Sequence, residues 1–157
     1  MDAVTYPSAV VRDTLQKHTV AVRLDVMKER DLAKRIGAYW TPSFFYLDGD
    51  KVCHHWLGYL PPEDFAAQIL VGVGMTRFQT GRTDDALACF DEAATRFAGT
   101  TPAPEALYWR GVCRFKKSKD SKPIYEACKE IVAKYPDSTW AKKIGFVHKY
   151  KDFNLTG

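Results

Sequence analysis

The chain has 157 residues, 46% of them hydrophobic and 13% aromatic, enough for one ordinary domain or two small ones with a packed core. No apolar run approaches the roughly 18 residues that span a bilayer, so a membrane-spanning helix is not expected, and the cytoplasm is the expected compartment. The formal net charge of +4 is unevenly placed, with −1 over residues 1–66, −1 over 67–100 and +6 over 101–157.

Pro7-Ser8, followed by Val10, Val11, Thr14 and Leu15, predicts a capped amphipathic helix ending near His18. Residues 20–26, Val-Ala-Val-Arg-Leu-Asp-Val, are short and rich in β-branched side chains and predict a strand. Charged residues 28–31 open a second helix, carried by Leu32, Ala33 and Ile36 and stopped by Gly37. Residues 43–47 and 51–57 flank Asp48-Gly49-Asp50 and predict a β-hairpin. Pro61-Pro62-Glu63-Asp64 then starts a helix with Phe65, Ala66, Ile69 and Leu70 inward. The predicted order for residues 1–70 is α-β-α-β-β-α.

From Leu70 onward the apolar spacing becomes helical, and a loose repeat emerges when Gly74 is aligned with Gly111, 37 residues apart. Leu70, Gly74, Phe78, Gly81, Ala86, Phe90 and Ala93 stand where a helix-turn-helix unit needs small residues at a close crossing and large ones around it. Leu107, Gly111, Phe115, Ile124, Cys128, Ile131 and Pro136 repeat that pattern, with one extra residue between 116 and 122. Pro136 stops the last helix of the pair, and Ser138 or Thr139 caps a further one with Trp140, Ile144 and Val147 on its apolar face.

Two resemblances follow. Residues 40–50, Trp-Thr-Pro-Ser-Phe-Phe-Tyr-Leu-Asp-Gly-Asp, resemble the thioredoxin-like family, whose Thr-Pro before the hairpin carries a cis proline. Residues 20–26, 32–37 and 56–59 extend the match, and residues 1–7 resemble the stretch after the Cys-x-x-Cys of a bacterial branch. The dithiol itself, the start of its helix and the strand before it are not in this chain. The resemblance therefore implies a truncated α/β thioredoxin-like module over 1–70, with Met1 not at the natural domain start. Either a longer protein supplies the rest, or the flanking parts pair into a smaller, three-stranded sheet; the intact hydrophobic runs favour a shortened chain that folds. The spacing over 71–157 resembles the tetratricopeptide pattern and implies two helical hairpins plus a C-terminal capping helix. Two repeats are fewer than the roughly three an autonomous stack needs, which implies docking on the first module.

Chemistry is sparse in the pattern. Cys53, Cys89, Cys113 and Cys128 stand far apart, and packing in the core is favoured over a reactive role for them, although Cys113 and Cys128 fall on facing helices. His54 and His55 are neighbours on a strand, so they point to opposite faces and cannot chelate one metal. No catalytic residue, metal or cofactor is assigned. Surface recognition remains, with Trp40, Thr41 and Pro42 as a loop offering strand-like hydrogen bonds to extended polypeptide, and Arg110, Arg114, Lys116, Lys117, Lys119 and Lys122 as a basic surface for an acidic one. Nucleic acid ranks below polypeptide, because Asp120, Glu126 and Glu130 dilute that cluster and aromatics are not interleaved with it. The unpaired edge left by the missing strand predicts a homodimer. The expected function is a non-catalytic protein-interaction module, the alternative being the scaffold of a thiol-disulfide oxidoreductase whose Cys-x-x-Cys lies upstream.

Overall fold

The computed structural model describes residues 1–149; residues 150–157, the end of the span assigned to the second module, lie outside it. Helix α1 (Ala9–His18) is amphipathic, with Val11 and Thr14 buried. It stops at extended Thr19, whose hydroxyl and N–H both donate to the Leu15 carbonyl. Helix α2 (Arg30–Ile36) ends at left-handed Gly37, and the next N–H, of Ala38, donates back to the Ala33 carbonyl at 2.8 Å. Its start is later than the charge pattern suggests because Asp25 first holds a turn, accepting from the backbone N–H groups of Met27, Lys28 and Glu29.

Between these helices the expected strand is not formed. Among the described residues, 20–24 make no backbone–backbone hydrogen bond, and there is a single sheet of two strands. The reason is physical: a β pattern becomes a strand only when a neighbour receives its N–H and C=O groups, and the hairpin strands pair with each other instead. The observed order up to Gln79 is therefore α-α-β-β-α, and the smaller three-stranded sheet is not built.

Strands β1 (Ser43–Asp48) and β2 (Lys51–Leu57) form the predicted antiparallel hairpin around Gly49, whose positive φ of 59° suits the tight turn. Phe44 lies opposite Trp56 and Tyr46 opposite His54, with an irregularity after Tyr46. This face packs on α3 (Pro62–Gln79). Phe44 and Trp56 stack at 4.1 Å, and both set their rings edge-on to Phe65, at 5.0 and 5.4 Å. Further along, the Tyr46 ring rests on Gly72 with no room for a side chain, and Gln79 Nε2 donates to the Cys53 carbonyl at 2.6 Å.

Helix α3 runs unbroken through Leu70 and serves two sets of partners. On one side are α1 and the hairpin, through Val11, Phe65, Ile69 and Val73. On the other are α4 (Thr83–Arg96), α5 (Ala103–Ser118) and α6 (Lys122–Lys134), through a core that includes Leu70, Val71, Ala93, Phe97, Leu107, Cys128 and Ile131. Gly74 admits Phe90 from α4, and Gly111 admits α6 at Ala127. Both glycines thus stand at close helix crossings. Helix α7 (Thr139–Lys143) is capped by Ser138, whose Oγ accepts from the Ala141 N–H at 3.0 Å; it continues as a 3-10 turn, Gly145–Lys149, and Ile144 closes the core.

Candidate peptide-binding surfaces

The Trp40-Thr41-Pro42 loop leads into β1 and holds a cis Thr41–Pro42 bond. Ser43 Oγ donates to the Trp40 carbonyl, and the Gly58 N–H donates to the Pro42 carbonyl at 2.9 Å. The carbonyl beside the proline is thus already engaged, while the Thr41 backbone groups and the Trp40 N–H have no backbone partner among the described residues. Tyr39, Trp40 (66% exposed), Leu57 and Tyr59 are exposed around it.

The six basic residues do not act as one patch. Arg110, 14% exposed in its side chain, spans three helices, reaching Glu130 on α6 at 2.7 Å and Asp91 on α4 at 3.7 Å. Arg114 also meets Asp91, at 3.2 Å, and Lys117 pairs with Asp84. Lys122 lies 3.9 Å from Glu126 one turn on. Lys116 lies over the Phe78 ring at 4.6 Å, and Lys119 closes α5 in a left-handed conformation at φ 61°. Much of the positive charge is neutralised by carboxylates on facing helices. Arg110 ties α4, α5 and α6 together, whereas exposed pairs such as Lys122–Glu126 contribute little.

Another surface was not legible in sequence. Trp140 of α7 lies 4.9 Å from Tyr108, Tyr108 lies 5.8 Å from Trp109, and Trp109 lies 5.4 Å from Phe78 of α3. The four half-buried rings make a continuous row across α7, α5 and α3. Lys143 sits over Trp140 at 4.6 Å, as Lys116 does over Phe78, so a cation stands at each end. Glu105 lies one turn before Tyr108 and Trp109. Its carboxyl is held above the usual range by burial, an effect that the indole N–H groups of Trp140 and Trp109 and the Lys143 charge only partly offset. The available signal was the helical spacing of Glu105, Trp109, Val112 and Lys116 on one side of α5.

The remaining polar candidates are structural. His54 faces α3, near Gln68 at 3.5 Å, while His55 stacks on Phe45 on the other side of the hairpin at 5.9 Å. Among the described residues no group of three His, Cys, Asp or Glu is placed to hold a metal ion. All four cysteines are buried and free. Burial pushes the Cys113 thiol up to about 11 and raises Cys89 and Cys128, so these sulfurs stay protonated near neutral pH. Cys89 accepts from the Arg77 guanidinium at 3.0 Å, but the desolvation of its site outweighs that nearby charge.

A family model for the tetratricopeptide repeat matches residues 105–138. The match runs through α5 and α6 and ends at Ser138, so it covers the second of the two hairpins. No curated protein matches the chain, and no solved structure does. Among the described residues no helix is long and apolar enough to cross a membrane.

Proposed function

We propose that the chain is a non-catalytic protein-interaction module, in which a thioredoxin-like platform over residues 1–70 and two tetratricopeptide-like hairpins with a capping helix over 71–157 bind another polypeptide. The observation that carries this reading is the repeat at 105–138, a class of helical hairpin that mediates contacts between proteins. The hairpin-then-helix order after residue 42 supports the thioredoxin-like assignment. The repeat surface offers apolar aromatic area with a cation at each end, which suits a segment with apolar side chains flanked by acidic ones. Trp40, Thr41 and Pro42 form a second contact for extended backbone in this scheme, and Lys119 adds charge beyond Lys116. A reducing compartment such as the cytoplasm suits four free thiols.

The test is a fluorescence titration of the chain with fluorescein-labelled peptides carrying aromatic residues flanked by Asp and Glu, alongside the same sequences flanked by Lys. The acidic peptides bind, and Tyr108→Ala or Lys143→Ala weakens them by about tenfold. Equal binding of the basic peptides, or binding indifferent to both substitutions, rejects this surface. Insulin reduction, assayed in parallel, gives no turnover if the module is non-catalytic.

A further inference from the structure

Residues 20–26 alternate Val20, Val22, Leu24 and Val26 with Ala21, Arg23 and Asp25. Val20 is 95% exposed, Val22 75% and Leu24 44%, and residues 20–24 make no backbone–backbone hydrogen bond among the described residues. Apolar side chains at strand spacing beside unpaired N–H and C=O groups form a template for another strand.

We propose that this segment pairs antiparallel with the same segment of a second copy, about a two-fold axis at Leu24. The side chains choose the register. With Leu24 opposite Leu24, Arg23 of each copy faces Asp25 of the other, twice, while Val26 stays inside the turn that Asp25 holds. Centring the pair on Arg23 instead sets like charges against each other. Centring it on Val22 leaves Arg23 opposite Ala21 and Asp25 opposite Thr19, with no opposite charges face to face. Of these, the Leu24-centred register alone sets opposite charges face to face, and the contact is isologous, as a closed dimer requires.

The backbone selects the same arrangement. The Asp25 carbonyl already accepts from the Lys28 and Glu29 N–H groups, at 3.0 and 2.9 Å, so it has no call for a ladder partner. Arg23 and Asp25 then form the non-hydrogen-bonded pair, whose side chains approach more closely, and the two Leu24 residues exchange both hydrogen bonds. In the single chain Arg23 holds Asp2 at 2.8 and 3.2 Å, but both side chains are exposed, so moving Arg23 to a new carboxylate costs little. The pairing uses none of the aromatic row and is independent of the peptide-binding reading.

Sedimentation equilibrium of the full chain over a range of concentrations tests it. The chain dimerises; Arg23→Asp and Asp25→Arg each weaken the dimer by about tenfold, and the double exchange recovers most of the loss. Leu24→Cys forms a disulfide-linked dimer on oxidation, whereas Val20→Cys, far from its own copy in this register, does not. A chain that stays monomeric without Leu24→Cys cross-linking, or a dimer in which the double exchange is no better than the single ones, overturns the proposal.

Discussion

A methyl group placed on Gly111 would lie 2.8 Å from the Ala127 Cβ, and 3.0 Å from the Pro123 carbonyl oxygen. The two helices of the α5–α6 hairpin therefore pack closely at this point. Replacing a helical glycine by alanine ordinarily gains up to about 1 kcal/mol, but overpacking against backbone that cannot swing aside costs about 1–3 kcal/mol. Gly111→Ala is therefore destabilising by about 1–2 kcal/mol in urea denaturation. A neutral or stabilising result would mean that α6 stands further from α5 than described.

Arg110 and Lys119 belong to the same basic segment but have different duties. Arg110 is half-buried between Asp91 and Glu130, so Arg110→Ala leaves carboxylates short of a partner and costs about 1–3 kcal/mol of stability. Lys119→Ala removes an exposed side chain and changes stability by less than about 0.5 kcal/mol, aside from any effect of its left-handed backbone. Thermal unfolding of the two variants side by side checks the contrast.

Acid weakens the fold through two histidines. His18 is held below its ordinary pKa by burial, and by the Lys17 and Arg77 charges, against the opposing pull of Glu92; His54 is lowered by burial and by His55. Each binds its proton less readily folded than unfolded, so its contribution is complete above about pH 6.5 and is lost as pH falls below that. The urea midpoint is lower at pH 5.5 than at pH 7.5 for the parent, by about 1 M or less. His18→Gln with His54→Gln flattens the difference. Glu105, raised by burial, acts in the opposite sense, so Glu105→Gln in that background isolates it. Glu92 and Glu130 have carboxyls that their lysine and arginine partners hold low despite burial, and they enter only in stronger acid.

The thiols report on opening. Cys53, Cys89, Cys113 and Cys128 are buried, so Ellman's reagent reacts slowly with the native chain and rapidly with all four after denaturation. A cysteine that reacts at once in the native state would place its sulfur at the surface.

Local patterns that carry their own boundary were legible in the sequence. Helix α1 ends at His18, Gly37 closes α2, Gly49 turns the hairpin, and Gly74 and Gly111 stand at close crossings as their spacing implies. What failed depends on a neighbour that sequence does not supply. Residues 20–26 have the composition of a strand, but among the described residues no strand lies beside them to accept their hydrogen bonds. Tyr108 and Trp140 meet only because α7 folds back on α5, and 31 intervening residues hide that contact from any periodicity. The basic cluster looked like an open patch because its carboxylates, Asp84 and Asp91, lie on a different helix.

Helix α3 holds the hairpin at Tyr46 and Gly72 and the repeat core at Leu70 and Gly74 within one rigid stretch of backbone. A cut near Leu70 would not release two independent folds; each piece would lose the wall against which it is built. The chain should therefore melt in a single cooperative step, and a force applied to the hairpin would reach the repeats through one rod of peptide hydrogen bonds rather than across a hinge.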